Sequence, residues 1–239
     1  MGRLNEVNEK KGNQLTEFKV GNDVVKLSAN IVKQYLVNGN GAITDQEIIF
    51  FIHLCKSRKL NPFTKEVHLI KYGNQPATMV VSRDALEKRA IQHEKYNGKE
   101  AGIYVLNNDT GELIKREGSI YIKSKEELVG AWCTVYRKDW EIPVTVEVNL
   151  DEYIGKKGDG TANSNWANKP VTMITKVAKA QALREAFIEE LEGMYEVEET
   201  GINIENINSA PVEISNDNID NIPNAEIDPF EPDEANPFD

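Results

Sequence analysis

Among 239 residues there are two cysteines, Cys55 and Cys133, and three histidines. Two thiols cannot build a disulfide framework, and no Cys-x-x-Cys pair offers a zinc cage. No stretch approaches the roughly 18 consecutive apolar residues of a membrane span. No apolar segment opens the chain as a secretory leader would. The expectation is a cytoplasmic protein with no membrane partner. The most informative absence is that of positive charge after Arg184. Residues 191–239 carry fourteen Asp/Glu and no Lys or Arg, while residues 1–190 hold 28 basic and 25 acidic side chains. The net charge of −11 therefore belongs to one end of the chain. The mildly basic remainder can meet a polyanion.

The polar opening, residues 1–23, lacks periodicity and reads as a mobile arm. A short helix is expected after Ser28, with Ile31, Val32, Tyr35 and Leu36 on it. Thr44 to Glu47 is a capping-box pattern, followed by Ile48, Phe51, Ile52 and Cys55 at helical spacing, with Asn61-Pro62 as the stop. Alternation from Lys65 to Tyr72, answered by Thr78 to Val81 across Gly73-Asn74, predicts a hairpin. Ser82 caps a helix expected to run to about Tyr96. Strands follow from Gly102 to Leu106, from Leu113, at Tyr121, and over 129–136 and 142–148, with a turn at Asn107–Gly111. A last helix is expected from Pro170 to about Leu191. The class is α+β: a small antiparallel sheet with hairpins packed by helices, a core domain over 24–198, and a disordered acidic tail over 199–239.

The run from Gly155 to Phe187 holds six basic residues, and between Lys156 and Arg184 they face one acid, Asp159. Its first part sets Lys156, Lys157, Asn163, Asn165 and Trp166 among glycines, as a flexible loop that could bring backbone N–H groups to phosphates. Trp166 could stack on a base or anchor a core; both readings stand. In the helix that follows, Lys169, Thr172, Lys176 and Lys179 share one stripe. Met173, Val177, Ala180 and Phe187 form a neighbouring stripe that should pack on the sheet. A merely solvated lysine face is the alternative. Gly155-Lys-Lys-Gly-Asp-Gly160-Thr has phosphate-loop ingredients in the wrong order, so no ATP site is expected. His53, His68, His93 and the two cysteines lack metal-ligand spacing, and both cysteines fit core positions. A nuclease reading would need Asp109, Glu112 and Lys115 to hold a divalent ion, yet they surround a turn where such residues are common.

Two segments, LNPFTKEVHLIKY (Leu60 to Tyr72) and NWANKPVTMITKVAKAQALREAF (Asn165 to Phe187), together resemble the RecT/Redβ (Bet-type) single-strand annealing proteins of bacteriophages. The intervening VVSRDALEKRA is similar to that family's hairpin-to-helix step, and the likeness covers about 28–195. The resemblance implies an ATP-independent recombinase, not an enzyme, without cofactor or metal. It would act in the cytoplasm of a bacterial host. Its implied partners are single-stranded DNA, the annealed duplex intermediate and further copies of itself in a ring or helical filament. A phage exonuclease and a single-strand-binding protein are further expected partners. By position, Lys65, Trp166, the Lys169-Pro170 step, Met173 and Arg184 match the family's pattern around its DNA groove. The expected DNA-contacting set is Lys65, Lys71, Lys156, Lys157, Asn165, Trp166, Lys169, Met173, Lys176, Lys179 and Arg184. Val171, Thr172 and Gln181 depart from the pattern, which weakens individual contacts. The alternative is a passive single-stranded DNA-binding protein without annealing activity. In the tail, Pro229-Phe230 and Pro237-Phe238 sit among acids. That is a solubilising tail or a likeness to the acidic Pro-Phe tips of bacterial single-strand-binding proteins.

Overall fold

The computed structural model describes residues 15–196 and residue 199. Most of the mobile arm and nearly all of the acidic tail expected from the sequence lie outside these residues. Part of the arm is nonetheless ordered: β1 (Thr16–Val20) pairs antiparallel with β2 (Asp23–Leu27) across a tight turn. Phe18, Val25 and Leu27 are its buried side chains, so an alternation too short to notice in a polar stretch still suffices for a hairpin.

Local capping was legible and is present. The Ser28 hydroxyl accepts from Ile31 N at 3.3 Å and opens α1 (Ala29–Ile31), which continues as a π-helical stretch, Val32–Leu36, into β3 (Val37–Gly39). The capping box is complete at α2 (Asp45–Arg58): Glu47 N donates to Thr44 Oγ1, and Thr44 N donates to the Glu47 carboxylate. The helix ends two residues before Asn61, at Lys59, whose φ of 49° is left-handed. Strands β4 (Val67–Lys71) and β5 (Thr78–Val81) form the expected hairpin, and β3 adds to β4 in parallel, a pairing the local pattern could not reveal. Ser82 caps α3 (Arg83–Gln92), which stops short of the expected Tyr96 because that residue already begins a strand.

The larger sheet has the order β7-β6-β8-β9, all antiparallel. Its members are β6 (Tyr96–Asn107), β7 (Leu113–Glu117), β8 (Glu126–Arg137) and β9 (Val144–Asn149). Tyr121 is not in a strand. It lies in the β7–β8 connection, where Ile122 N and Ile122 O are both engaged at Glu126 and no ladder forms. Two short helices, α4 (Leu150–Tyr153) and α5 (Ser164–Asn168), precede the long α6 (Pro170–Ala186).

Helix α6 lies across β8 and β9 and also touches α3. Its alanines at 178, 180, 182 and 186 are all buried, and their small size permits close approach on more than one side. Met173, Val177, Ala180 and Phe187 are buried as the apolar stripe required. The helix breaks at Phe187 instead of running on to Leu191; a separate turn, α7 (Ile188–Leu191), follows. The break has a tertiary cause. The Arg137 guanidinium donates to the Ala186 carbonyl, and the buried Phe187 ring packs 4.9 Å from that of His93.

Candidate nucleic-acid interface

The Gly155–Asn163 segment is a closed hairpin, which corrects the flexible-loop reading. Lys156 bridges Ala162, Lys157 N donates to Thr161 O at 2.7 Å, and Asn163 N donates to Gly155 O at 2.8 Å. Gly160 takes the turn with φ +84°. Asp159 accepts from the Thr161 hydroxyl and amide, and the hydroxyl bond leads in holding its carboxyl below the usual range. The one acid of the hairpin thus serves its turn, while Lys156 and Lys157 are exposed.

Trp166 is the base of this hairpin. Only 4% of it is exposed, so the base-stacking reading is corrected in favour of the core anchor. A Cβ on Gly155 would meet Asn163 Nδ2 at 2.6 Å and the Trp166 indole at 3.0 Å. Glycine at 155 therefore lets the backbone close over the ring. The Asn163 side chain caps α5 by accepting from Trp166 N at 3.1 Å. Beyond it Asn165 and Lys169 are exposed. Pro170 occupies the first turn of α6 and no side chain caps that helix. Its first backbone N–H groups are donors beside Lys169.

Farther along α6 the lysine stripe changes character. Thr172 is exposed, whereas Lys176 and Lys179 are half-buried. Lys179 lies near enough to Cys133 that its charge, with that of Lys99, opposes the burial that pushes that thiol up to about 11. Met173 is buried and cannot touch a ligand in this arrangement. Gln181 donates to the Tyr153 hydroxyl at 2.7 Å and joins α4 to α6. Arg184 is engaged by its own chain: Nη1 donates to Met194 O and to Glu199 Oε2, each at 3.0 Å, and Nη2 donates to Glu199 Oε1. Its guanidinium also lies 4.6 Å over the Tyr195 ring. The expectation of an open DNA contact at Arg184 is thereby corrected.

The Leu60–Tyr72 segment divides in the same way. The Asn61 side chain accepts from Phe63 N, the Asn61 backbone carbonyl accepts from Glu66 N and the Thr64 hydroxyl, and the Asn61 backbone N–H donates to Glu66 Oε2. This folded turn pushes Lys65 out, exposed and with φ +61°. Lys65 lines a cleft of about 520 Å³ with Asn61, His68, Asp84 and Lys88, none of them from the α5–α6 region. Burial, then the charge of Lys65, keeps His68 below its ordinary value. Lys71 contradicts its expected DNA role. It is buried and its Nζ donates to Glu47 Oε1 at 2.7 Å. Glu47 also accepts from Thr44 and from Ala77 N, and with the Lys71 bond first these hold its carboxyl at about 2.

Of the nuclease set, Lys115 sits 4.1 Å over the Trp132 ring, while Asp109 and Glu112 remain exposed in the β6–β7 turn. Sequence reasoning missed the partners that consume charges: Glu47 for Lys71 and Glu199 for Arg184. Neither pairing has a local signal, because the partners are 24 and 15 residues apart. Gly155 carried one, a glycine eleven residues ahead of a tryptophan, but no spacing rule says what it packs on.

The sequence model of the RecT family matches residues 22–212. An uncharacterized protein of Ureaplasma parvum serovar 3 is 32% identical over 133 residues, which make up 56% of this chain and 50% of that protein. The chain thus spans about half the length of that curated relative.

Proposed function

The chain belongs to the RecT family, and from that premise we propose that it is a phage-type, ATP-independent single-strand annealing protein. It would hold single-stranded DNA as an oligomer, ring or filament, and pair complementary strands in recombination. The observation that carries this reading is the exposed set Lys156, Lys157, Asn165 and Lys169 around one closed hairpin and helix start. Lysines there lower the repulsion between two phosphate backbones. Base edges left outside such a surface can test register against a second strand. Stacking of about 1.4 kcal/mol per step then drives pairing without nucleotide hydrolysis. The modest charge per subunit is multiplied when many subunits line one strand.

Lys65 would belong to the same surface through its exposed turn, whether in one subunit or across two. An exonuclease that exposes single strands and a single-strand-binding protein are the proposed partners. The burial of Trp166 weighs against the passive reading, since that reading relied on a stacking platform. The test mixes the purified chain with complementary oligonucleotides in the absence of ATP. Faster annealing, with the annealed product retained, supports the proposal. Protected strands that anneal more slowly would identify a passive binder instead.

A further inference from the structure

Where the acidic part of the chain begins, it is already seated on the body. The Tyr195 carbonyl accepts from Val81 N at 2.8 Å, tying this stretch to β5. Arg184, the last cation in the sequence, holds the Glu199 carboxylate and lies against Tyr195. An acid–aromatic pair is thus bound by the final positive charge of α6. The remaining residues, 200–239, add ten Asp/Glu, no Lys or Arg, and two Pro-Phe steps.

On the other side of the balance stands the start of the same helix. Lys156, Lys157 and Lys169 are exposed, and the nearby Asp159 is engaged by Thr161. Exposed Asp151 and Glu152 lie on α4, the element just before the hairpin. From Arg184 back to Lys169 is roughly 22 Å at about 1.5 Å per helical residue. About seven residues of extended chain cover that distance, so forty residues reach every lysine named.

We propose that the acidic segment 200–239 docks on the basic surface formed by Lys156, Lys157 and Lys169, anchored by the Arg184–Glu199 pair, and competes there with nucleic acid. This rests on the proposed function and assigns that same site its regulation. Tethering raises the segment's local concentration to the order of millimolar, so weak carboxylate–lysine pairs suffice to occupy the site. A single strand displaces the segment because its phosphates are denser and binding them releases counterions. Short or isolated contacts are suppressed, while a long strand spanning several subunits prevails.

The test compares the full chain with a full-length variant carrying Glu226→Gln, Asp228→Asn, Glu231→Gln, Asp233→Asn and Glu234→Gln. None of these residues takes part in the described fold. A fluorescent oligo-dT strand is the probe. The variant should bind about tenfold tighter at about 0.05 M salt, with the gap falling below about twofold near 0.5 M as charges are screened. Zero-length carboxyl–amine coupling of the unliganded full chain should join 200–239 to Lys156, Lys157 or Lys169, and added oligo-dT should abolish those cross-links. Equal affinities at both salt concentrations overturn the proposal. So do cross-links that avoid these lysines, or that form only between copies in a mixture of isotopically labelled and unlabelled chain. If neither protein binds oligo-dT, the annealing reading fails, and docking of the segment stands or falls on the cross-links alone.

Discussion

The two segments that carry the family resemblance treat their basic residues in the same divided manner. In Leu60–Tyr72, Lys65 is pushed out by a folded Asn61 turn while Lys71 is buried on Glu47. In Gly155–Phe187, Lys156, Lys157 and Lys169 are exposed while Arg184 is occupied by Glu199. Each segment therefore offers charge at its turn or its opening and spends charge where the chain enters packed structure. The difference lies in the partner. Lys71 meets a carboxylate of the core, while Arg184 meets one from the start of the acidic segment. A basic residue within a recognisable motif is no guide to a ligand contact until its neighbours from distant elements are known.

The strongest way to break this comparison is at the support of the second segment. Trp166→Ala should cost about 3–5 kcal/mol in urea unfolding, as truncation of a buried tryptophan does. If stability holds and only oligonucleotide affinity falls, Trp166 is a stacking residue after all. Next comes the exposed set. Lys156→Ala, Lys157→Ala and Lys169→Ala together should leave stability within about 0.5 kcal/mol. The same triple change should lower the salt slope of single-strand binding by about 2. Fluorescence anisotropy over a salt series reads both slope and affinity.

A smaller effect is expected from the half-buried pair. Lys176→Ala with Lys179→Ala should change the slope by less than about 1, and equal slopes for the triple and double variants would erase the distinction drawn between them. The last prediction concerns Lys71 and acid. Glu47 is held at about 2 in the folded chain, below its ordinary 4.5, with the Lys71 bond as the leading cause. Its stabilising contribution is complete above about pH 4.5 and is lost as pH falls toward about 2. Glu47→Gln should lower stability at neutral pH and flatten the unfolding profile within that window. A parallel downward shift at every pH would assign the acid sensitivity to other groups.

Much of the architecture could be read in advance because its causes are local. Ser28, Thr44–Glu47 and Ser82 cap their helices through bonds to residues three positions away. The β4–β5 hairpin and the apolar stripe of α6 follow from periods of two and 3.6 residues. Boundaries were less legible. Phe187 ends α6 because Arg137, 49 residues earlier, reaches the Ala186 carbonyl, and β3 joins β4 across 32 positions.

The sequence by itself determined the α+β class, the segregation of negative charge into one end, and the family to which the motif segments point. All three depend on composition or on neighbours within a few residues. Only the tertiary structure decided which polar and aromatic side chains remain available. Closure of Gly155 over the indole buries Trp166, a fold-crossing ion pair takes Lys71, and the returning chain takes Arg184. The physical reason is the same in each case: burial and pairing are set by what arrives from elsewhere in the chain, and spacing along one segment carries no record of it.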